Sequence, residues 1–243
     1  MEVYFNRVLG IAVYGVLCCV YLRYGVHNQN WLLKAALKCA PLIGLFVAIW
    51  YNMNMRGQLL WGLAFSILGD GFLVYRSSVT GLLGVSSFSI SVCTYSVMLG
   101  FNFANFVSLD GQLLGVCIAL LSFILYDEMR RSLDLTTSGP VVTLVVTVFG
   151  PCYLTLISIM LWSGSLSALR EVDMSSALGA LGSVMFYVSD LSIAASAIWP
   201  HFNLFKGRIL VMTTYYCAQL LLVLCIIYQS DDDTVLSQDL TLD

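Results

Sequence analysis

Charged side chains are scarce in this sequence: only 10% of its 243 residues are Asp, Glu, Lys or Arg, against roughly 25% in a soluble domain. So few charges cannot cover a water-exposed globule, whereas a lipid-facing surface needs none. Histidine is scarcer still. His27 and His201 have no cysteine or carboxylate at ligand spacing, so a zinc site is excluded. Gly-x-Ser-x-Gly, a P-loop, His-Glu-x-x-His and a dinucleotide-type glycine turn are all missing, which leaves serine-nucleophile and nucleotide chemistry without carriers. No cofactor is implied, and no nucleic-acid partner is expected. The eight cysteines, from Cys18 to Cys225, fall inside apolar stretches. There a thiol acts as a small hydrophobe, and no disulfide framework follows.

What the chain has instead is apolar length. Hydrophobic residues make up 59% of it, with a mean hydropathy of +0.88. A hydrocarbon core of roughly 30 Å needs about 20 apolar residues per helical span. Stretches of that length run roughly over 7–26, 34–51, 57–76, 81–101, 111–127, 140–162, 174–199 and 207–229. They are continuously apolar rather than alternating, so the fold class is all-α: a bundle of eight transmembrane helices, not a barrel. These spans occupy nearly the whole chain, 1–243, as a single integral membrane domain, and any chemistry has to happen in or at the bundle. Asn28, Gln29 and Asn30 break the first pair of spans, Asn52, Asn54 and Arg56 the second, and Gly139 and Pro140 precede the sixth. Pro200 closes the seventh. The first stretch lacks a basic flank and a small-x-small cleavage site, and reads as a retained anchor. The acidic tail from Ser230 is expected to be disordered.

Charge placement gives an orientation. The odd-numbered loops hold Arg23, Lys34, Lys38, Arg76, Arg130, Arg131, Lys206 and Arg208, and the other side holds Arg7, Arg56 and Arg170. By the positive-inside rule the odd loops are cytosolic and both termini lie across the membrane.

Within the interiors of the spans only two carboxylates occur, Asp70 in the third and Asp190 in the seventh. An aspartate at mid-span costs about 2.5–3.5 kcal/mol on insertion scales, so it faces the bundle or a wet cavity. Two roles are open to it: hydrogen-bonded glue between helices, or function. With no Lys or Arg expected to be buried, the expected partners of each are polar side chains or the other aspartate. The third and seventh helices run in the same direction, and both acids lie past mid-span, at similar depth. Gly69, Gly71 and Ser189 beside them permit close helix approach. A shift of about 120 residues also aligns Asp70 with Asp190, Gly62 with Gly182, Thr94 with Thr214 and Tyr95 with Tyr215, a weak signal of a four-plus-four pseudo-repeat that would line one pocket with both acids. In the eighth helix Tyr215 and Gln219 share a face, with Tyr216 one position round. The tyrosines suit either an interfacial belt or a pocket, and Gln219 needs hydrogen-bond partners in lipid.

Together these residues resemble the YhhN-type lysoplasmalogenase family of eight-span membrane proteins. Ser66-Ile67-Leu68-Gly69-Asp70-Gly71 is similar to that family's Gly-Asp helix, Tyr187-Val188-Ser189-Asp190 to its Ser-Asp helix, and Thr213-Thr214-Tyr215-Tyr216-Cys217-Ala218-Gln219 to its closing Tyr-Tyr-x-x-Gln helix. The resemblance covers the chain from about 30 to 228. One position departs: the family's Phe-x-x-x-His-x-x-Tyr pattern is met by Phe88 and Tyr95, but Val92 stands where the histidine belongs. The resemblance implies hydrolysis of the vinyl ether bond of lysoplasmalogens, giving a fatty aldehyde and glycerophosphoethanolamine or glycerophosphocholine, in the endoplasmic reticulum membrane. Such a reaction needs one protonated acid and one carboxylate, the logic of paired carboxylates in glycosidases. Asp70 and Asp190 are therefore the candidate catalytic pair, with Tyr95, Tyr215, Tyr216 and Gln219 as candidate substrate-binding residues. Without the resemblance a proton-coupled transporter accounts for intramembrane acids equally well, and a catalytically impaired lipid-binding member is the outcome if the histidine is required.

Overall fold

The computed structural model describes residues 2–52, 57–75, 77–102, 108–132, 143–198 and 204–239. Its helices are α1 (Glu2–Val20, continued by a π-helical turn Tyr21–Gly25), α2 (Trp31–Asn52), α3 (Gly57–Val74), α4 (Ser78–Met98), α5 (Leu109–Ser132), α6 (Gly150–Arg170, preceded by a π-helical turn Val145–Phe149), α7 (Met174–Ile198) and α8 (Leu204–Asp239). Eight candidate membrane spans are found among the described residues. The protein is a multi-pass membrane protein of all-α class.

Local polar chemistry sets the helix ends. Asn30 starts α2 by accepting from the amides of Leu32 at 3.1 Å and Leu33 at 3.4 Å, so a residue expected to break the chain also caps the next helix. Ser77 and Thr80 form a capping box on α4. That helix stops at Gly100, whose φ of +81° is one that L side chains rarely adopt, with Phe101 N bonding back to Ser96 O at 3.0 Å. Asp173 caps α7 through the Ser176 amide at 2.7 Å.

Several boundaries differ from the expected ones. The sixth span extends to Arg170 instead of ending near 162, because Ser163-Gly164-Ser165 is helix interface and not loop. A Cβ on Gly164 would come within 2.7 Å of Ser183 Oγ and 3.0 Å of Gly179 O, so its bare backbone lets α6 and α7 cross closely. The sequence breaks expected at Asn54, Arg56, Gly139, Pro140 and Pro200 lie outside the described residues. At the other end, α8 continues in backbone to Asp239, through most of the tail expected to be disordered. That stretch holds no glycine or proline to stop it.

The closest packing is between α7 and α8, then α3 and α4, then α6 and α7. These pairs enclose a buried core containing Leu59, Leu63, Tyr95, Met160, Phe186 and Leu222. α5 stands at the periphery against α6, and its Leu113, Val116, Leu120, Phe123 and Ile124 are exposed. Exposed apolar side chains on a peripheral helix are what a lipid-facing surface requires.

Candidate active site

Asp70, on the last turn of α3, is 1% exposed. Its Oδ1 lies 2.8 Å from Lys38 Nζ, whose side chain is 12% exposed. The expectation that neither aspartate has an ionic partner is therefore corrected: Lys38 is not a loop residue. Once α2 begins at Trp31 rather than near residue 34, Lys38 lies two turns inside the helix, and a long flexible side chain reaches across to α3. Lys38 is the partner of Asp70 that reading the spans in isolation missed.

Tyr215 on α8 approaches the same carboxylate. Its ring sits edge-on to Phe88 and Phe186, with centroids 6.0 and 5.7 Å away, and its phenol is directed towards Asp70. By distance and angle the two do not complete a hydrogen bond: Asp70 Oδ2 and Tyr215 Oη are both buried without a partner. Two adjacent buried polar atoms with spare capacity are costly unless a third group joins them.

The other predicted site residues are already engaged. Tyr95 Oη donates to Gln219 Oε1 at 2.7 Å, Gln219 Nε2 to Ser66 Oγ at 3.0 Å, and Ser66 and Ser91 share a 2.7 Å bond. Ser91 Oγ then donates to Gly62 O at 2.8 Å. Gly62 permits this arrangement, since a Cβ there would lie 2.6 Å from the Tyr95 ring. The chain of hydroxyl and amide groups ties α3, α4 and α8 together next to Asp70. Tyr216 faces elsewhere: its Oη donates to Lys38 O at 2.9 Å, near the break that Pro41 makes in the α2 ladder, and its own carbonyl accepts from Tyr14 Oη at 2.7 Å. Tyr216 thus holds the backbone that carries the lysine. Val92 is fully buried on α4.

Asp190 on α7 has a different neighbourhood. Its Oδ2 accepts from Tyr153 Oη of α6 at 2.5 Å, and it lines a cavity of about 150 Å³ together with Tyr153, Tyr126 and Tyr187. Asp70 and Lys38 are within electrostatic reach of it, but the cavity that Asp190 lines does not include Asp70. Tyr153 was not anticipated; a tyrosine in an apolar span reads as an interfacial anchor unless the opposing acid is known. A second, polar cavity of about 590 Å³ opens at the membrane face beside His27, Lys34, Tyr75 and Arg208. It sits one helical turn from the ion pair, because Lys34 precedes Lys38 and Val74, also in its wall, follows Asp70 by four residues. No group of three or more His, Cys, Asp or Glu able to hold a metal ion occurs among the described residues.

The bundle thus carries an acid on α3, an acid on α7 and a closing Tyr-Tyr-x-x-Gln helix, and the model of the YhhN family matches residues 33–226. The chain belongs to the YhhN family. Among curated relatives, lysoplasmalogenase TMEM86A of Bos taurus is 27% identical over 225 residues, covering 85% of this chain and 83% of its own. Lysoplasmalogenase TMEM86B of Homo sapiens is 30% identical over 213 residues, covering 85% and 81%, and that of Mus musculus 27% over 222 residues, covering 88% and 84%. No solved structure matches the chain.

Proposed function

We propose that this YhhN-family protein is a lysoplasmalogenase of the endoplasmic reticulum membrane that hydrolyses the vinyl ether bond of lysoplasmalogens with Asp70 and Asp190. The observation that carries the reading is the unlike surroundings of two intramembrane carboxylates within electrostatic reach of each other. Asp70 faces an ammonium group at 2.8 Å, which favours its charged form, whereas Asp190 faces a neutral phenol. Neighbouring acids kept in unlike environments divide into a proton donor and an anion.

On that division Asp190 delivers its proton to the β-carbon of the vinyl ether, and the oxocarbenium ion that forms is stabilised by the Asp70 carboxylate. Asp70 takes a proton from water as the water oxygen bonds to the cationic carbon, giving a hemiacetal. Asp70 then returns that proton to the departing glycerol oxygen while Asp190 removes the hemiacetal hydroxyl proton. The C–O bond breaks, the aldehyde leaves, and both acids regain their starting states. Tyr215, whose hydroxyl is unpartnered beside Asp70, is suited to orient the water, with Tyr95, Gln219 and Tyr216 holding the wall around it. Lys34 and Arg208, in the polar cavity one turn away, offer cations to the substrate phosphate.

The test is to incubate the purified protein with a lysoplasmalogen and with its saturated ether analogue, and to detect aldehyde. Release from the first alone is expected. Proton-coupled flux in vesicles without aldehyde release would overturn the reading in favour of a transporter.

A further inference from the structure

A groove between α5 and α6 leads away from Asp190. Each wall is one helix face with residues at i, i+3, i+4, i+7, i+8 and i+11, running from Gly115 to Tyr126 on α5 and from Pro151 to Trp162 on α6. The twelve-residue stripe, eleven rises long, corresponds to about 16 Å of helix, and the groove holds about 470 Å³. The groove exists because Gly115, Ala119 and Ser122 put little bulk on the α5 wall where it faces α6.

Several features fix what this space accepts. Its hydroxyls are already spent: Ser122 bonds Ser158 and Tyr187, each at 2.7 Å, and Ser158 donates to Leu154 O at 2.6 Å. What remains along the wall is apolar and offers a polar ligand nothing. At the inner end Tyr126 and Leu154 line both this groove and the small cavity that holds Asp190 and Tyr153, so the two adjoin. At the far end stands Trp162, 2% exposed, whose indole is fixed by Nε1 donating to Gly111 O at 2.8 Å. An apolar slot with a fixed indole at one end and a carboxylate-bearing cavity adjoining the other fits a single hydrocarbon chain whose first carbons are at that carboxylate.

We infer that the α5–α6 groove binds the alkenyl chain of the lysolipid, with the bond to be cleaved at Asp190, the chain running along Ala119, and Trp162 as the stop that limits its length. This rests on the lysoplasmalogenase reading for the identity of the lipid. It also gives peripheral α5 a role, as the helix past which a chain enters sideways from the bilayer.

The test uses the full-length protein in two measurements. In the first, a saturated ether lysolipid carrying a diazirine at its chain end is photolysed on the protein and the adducts are mapped by mass spectrometry. Adducts between Gly115 and Tyr126 or between Pro151 and Trp162, displaced by unlabelled lysoplasmalogen, are expected; adducts elsewhere overturn the inference. In the second, Ala119→Phe, at an exposed position that does not disturb the core, should lower the ratio of long-chain to short-chain kcat/KM about tenfold or more. Leu121→Phe, on the same helix but outside the groove, serves as the comparison and should leave that ratio at its wild-type value. An unchanged ratio in Ala119→Phe, or an equal fall in both variants, overturns the inference. Aldehyde release with adducts outside the groove refutes the chain site alone, whereas displaceable groove adducts without aldehyde release retain the lipid site and refute the hydrolase reading.

Discussion

Replacing Lys38 with methionine removes the ammonium beside Asp70 while keeping a side chain of similar length. The Nζ–Oδ1 separation is 2.8 Å and the two side chains are 12% and 2% exposed, so bulk water cannot take the cation's place. Removing one partner of a buried pair costs about 3–5 kcal/mol, because the charge left behind is uncompensated. Lys38→Met should therefore lose about 4 kcal/mol of stability at pH 7. Adding Asp70→Asn removes the orphaned charge and should recover most of the loss, a coupling of several kcal/mol between residues in contact. Denaturant titration in mixed micelles at pH 7 measures all four proteins of the cycle. A Lys38→Met variant as stable as wild type, or a double variant no better than the single one, would count against the ion pair.

Asp190→Asn should lower aldehyde release by about 10²–10⁴-fold at matched thermal stability, since the amide keeps shape but cannot donate the proton; Asp70→Asn should lower it as far and also lose stability, because it strands the Lys38 ammonium, so its activity is read beside that of the Lys38→Met/Asp70→Asn double variant, which should regain stability but not aldehyde release. Tyr153→Phe removes the phenol from Asp190 and should lower kcat about tenfold, the worth of one hydrogen bond; a change confined to KM would count against a role at the acid. Val92→His adds bulk at a fully buried position and should cost about 1–3 kcal/mol without raising turnover, which a melting curve and an aldehyde assay together decide. Removing buried Lys38 from the charge count leaves the excess of basic residues on the odd-loop side, so both termini should be protected in sealed microsomes whose cytosolic face is outward; digestion of both tails from that face would reverse the orientation.

The spans were legible because a run of about 20 apolar residues has one economical structure in a bilayer. The sixth boundary was not, since Ser163, Gly164 and Ser165 have loop composition, and only the opposing Gly179 and Ser183 explain them as a helix crossing. At the site, Asp70, Asp190, Tyr95, Tyr215 and Gln219 stood out because polar groups in apolar helices are costly enough to be noticed individually. Lys38 and Tyr153 did not. Lys38 lies near the start of the second span, where a lysine has an ordinary interfacial explanation, Tyr153 falls mid-way along the expected sixth span as one aromatic among many apolar residues, and each acquires another meaning only from an acid on a different helix. That pairing is a property of packing, which spacing along one helix does not encode.

The lysine also changes how the missing histidine weighs. Two neighbouring carboxylates in equivalent surroundings compete for one proton, and a nearby imidazole would be a natural means of assigning it. On the proposed mechanism the assignment has another source, because a cation touches Asp70 and a phenol touches Asp190. The α4 turn around Val92 meanwhile contributes Ser91 and Tyr95 to a chain of neutral hydrogen bonds ending at Gln219, which has no charged member for an imidazole to balance. On the proposed mechanism every proton is given and taken by the two aspartates and water, so Val92 removes no participant. On that mechanism valine at position 92 bears on how α4 packs in the core, rather than on whether the bond can be cleaved.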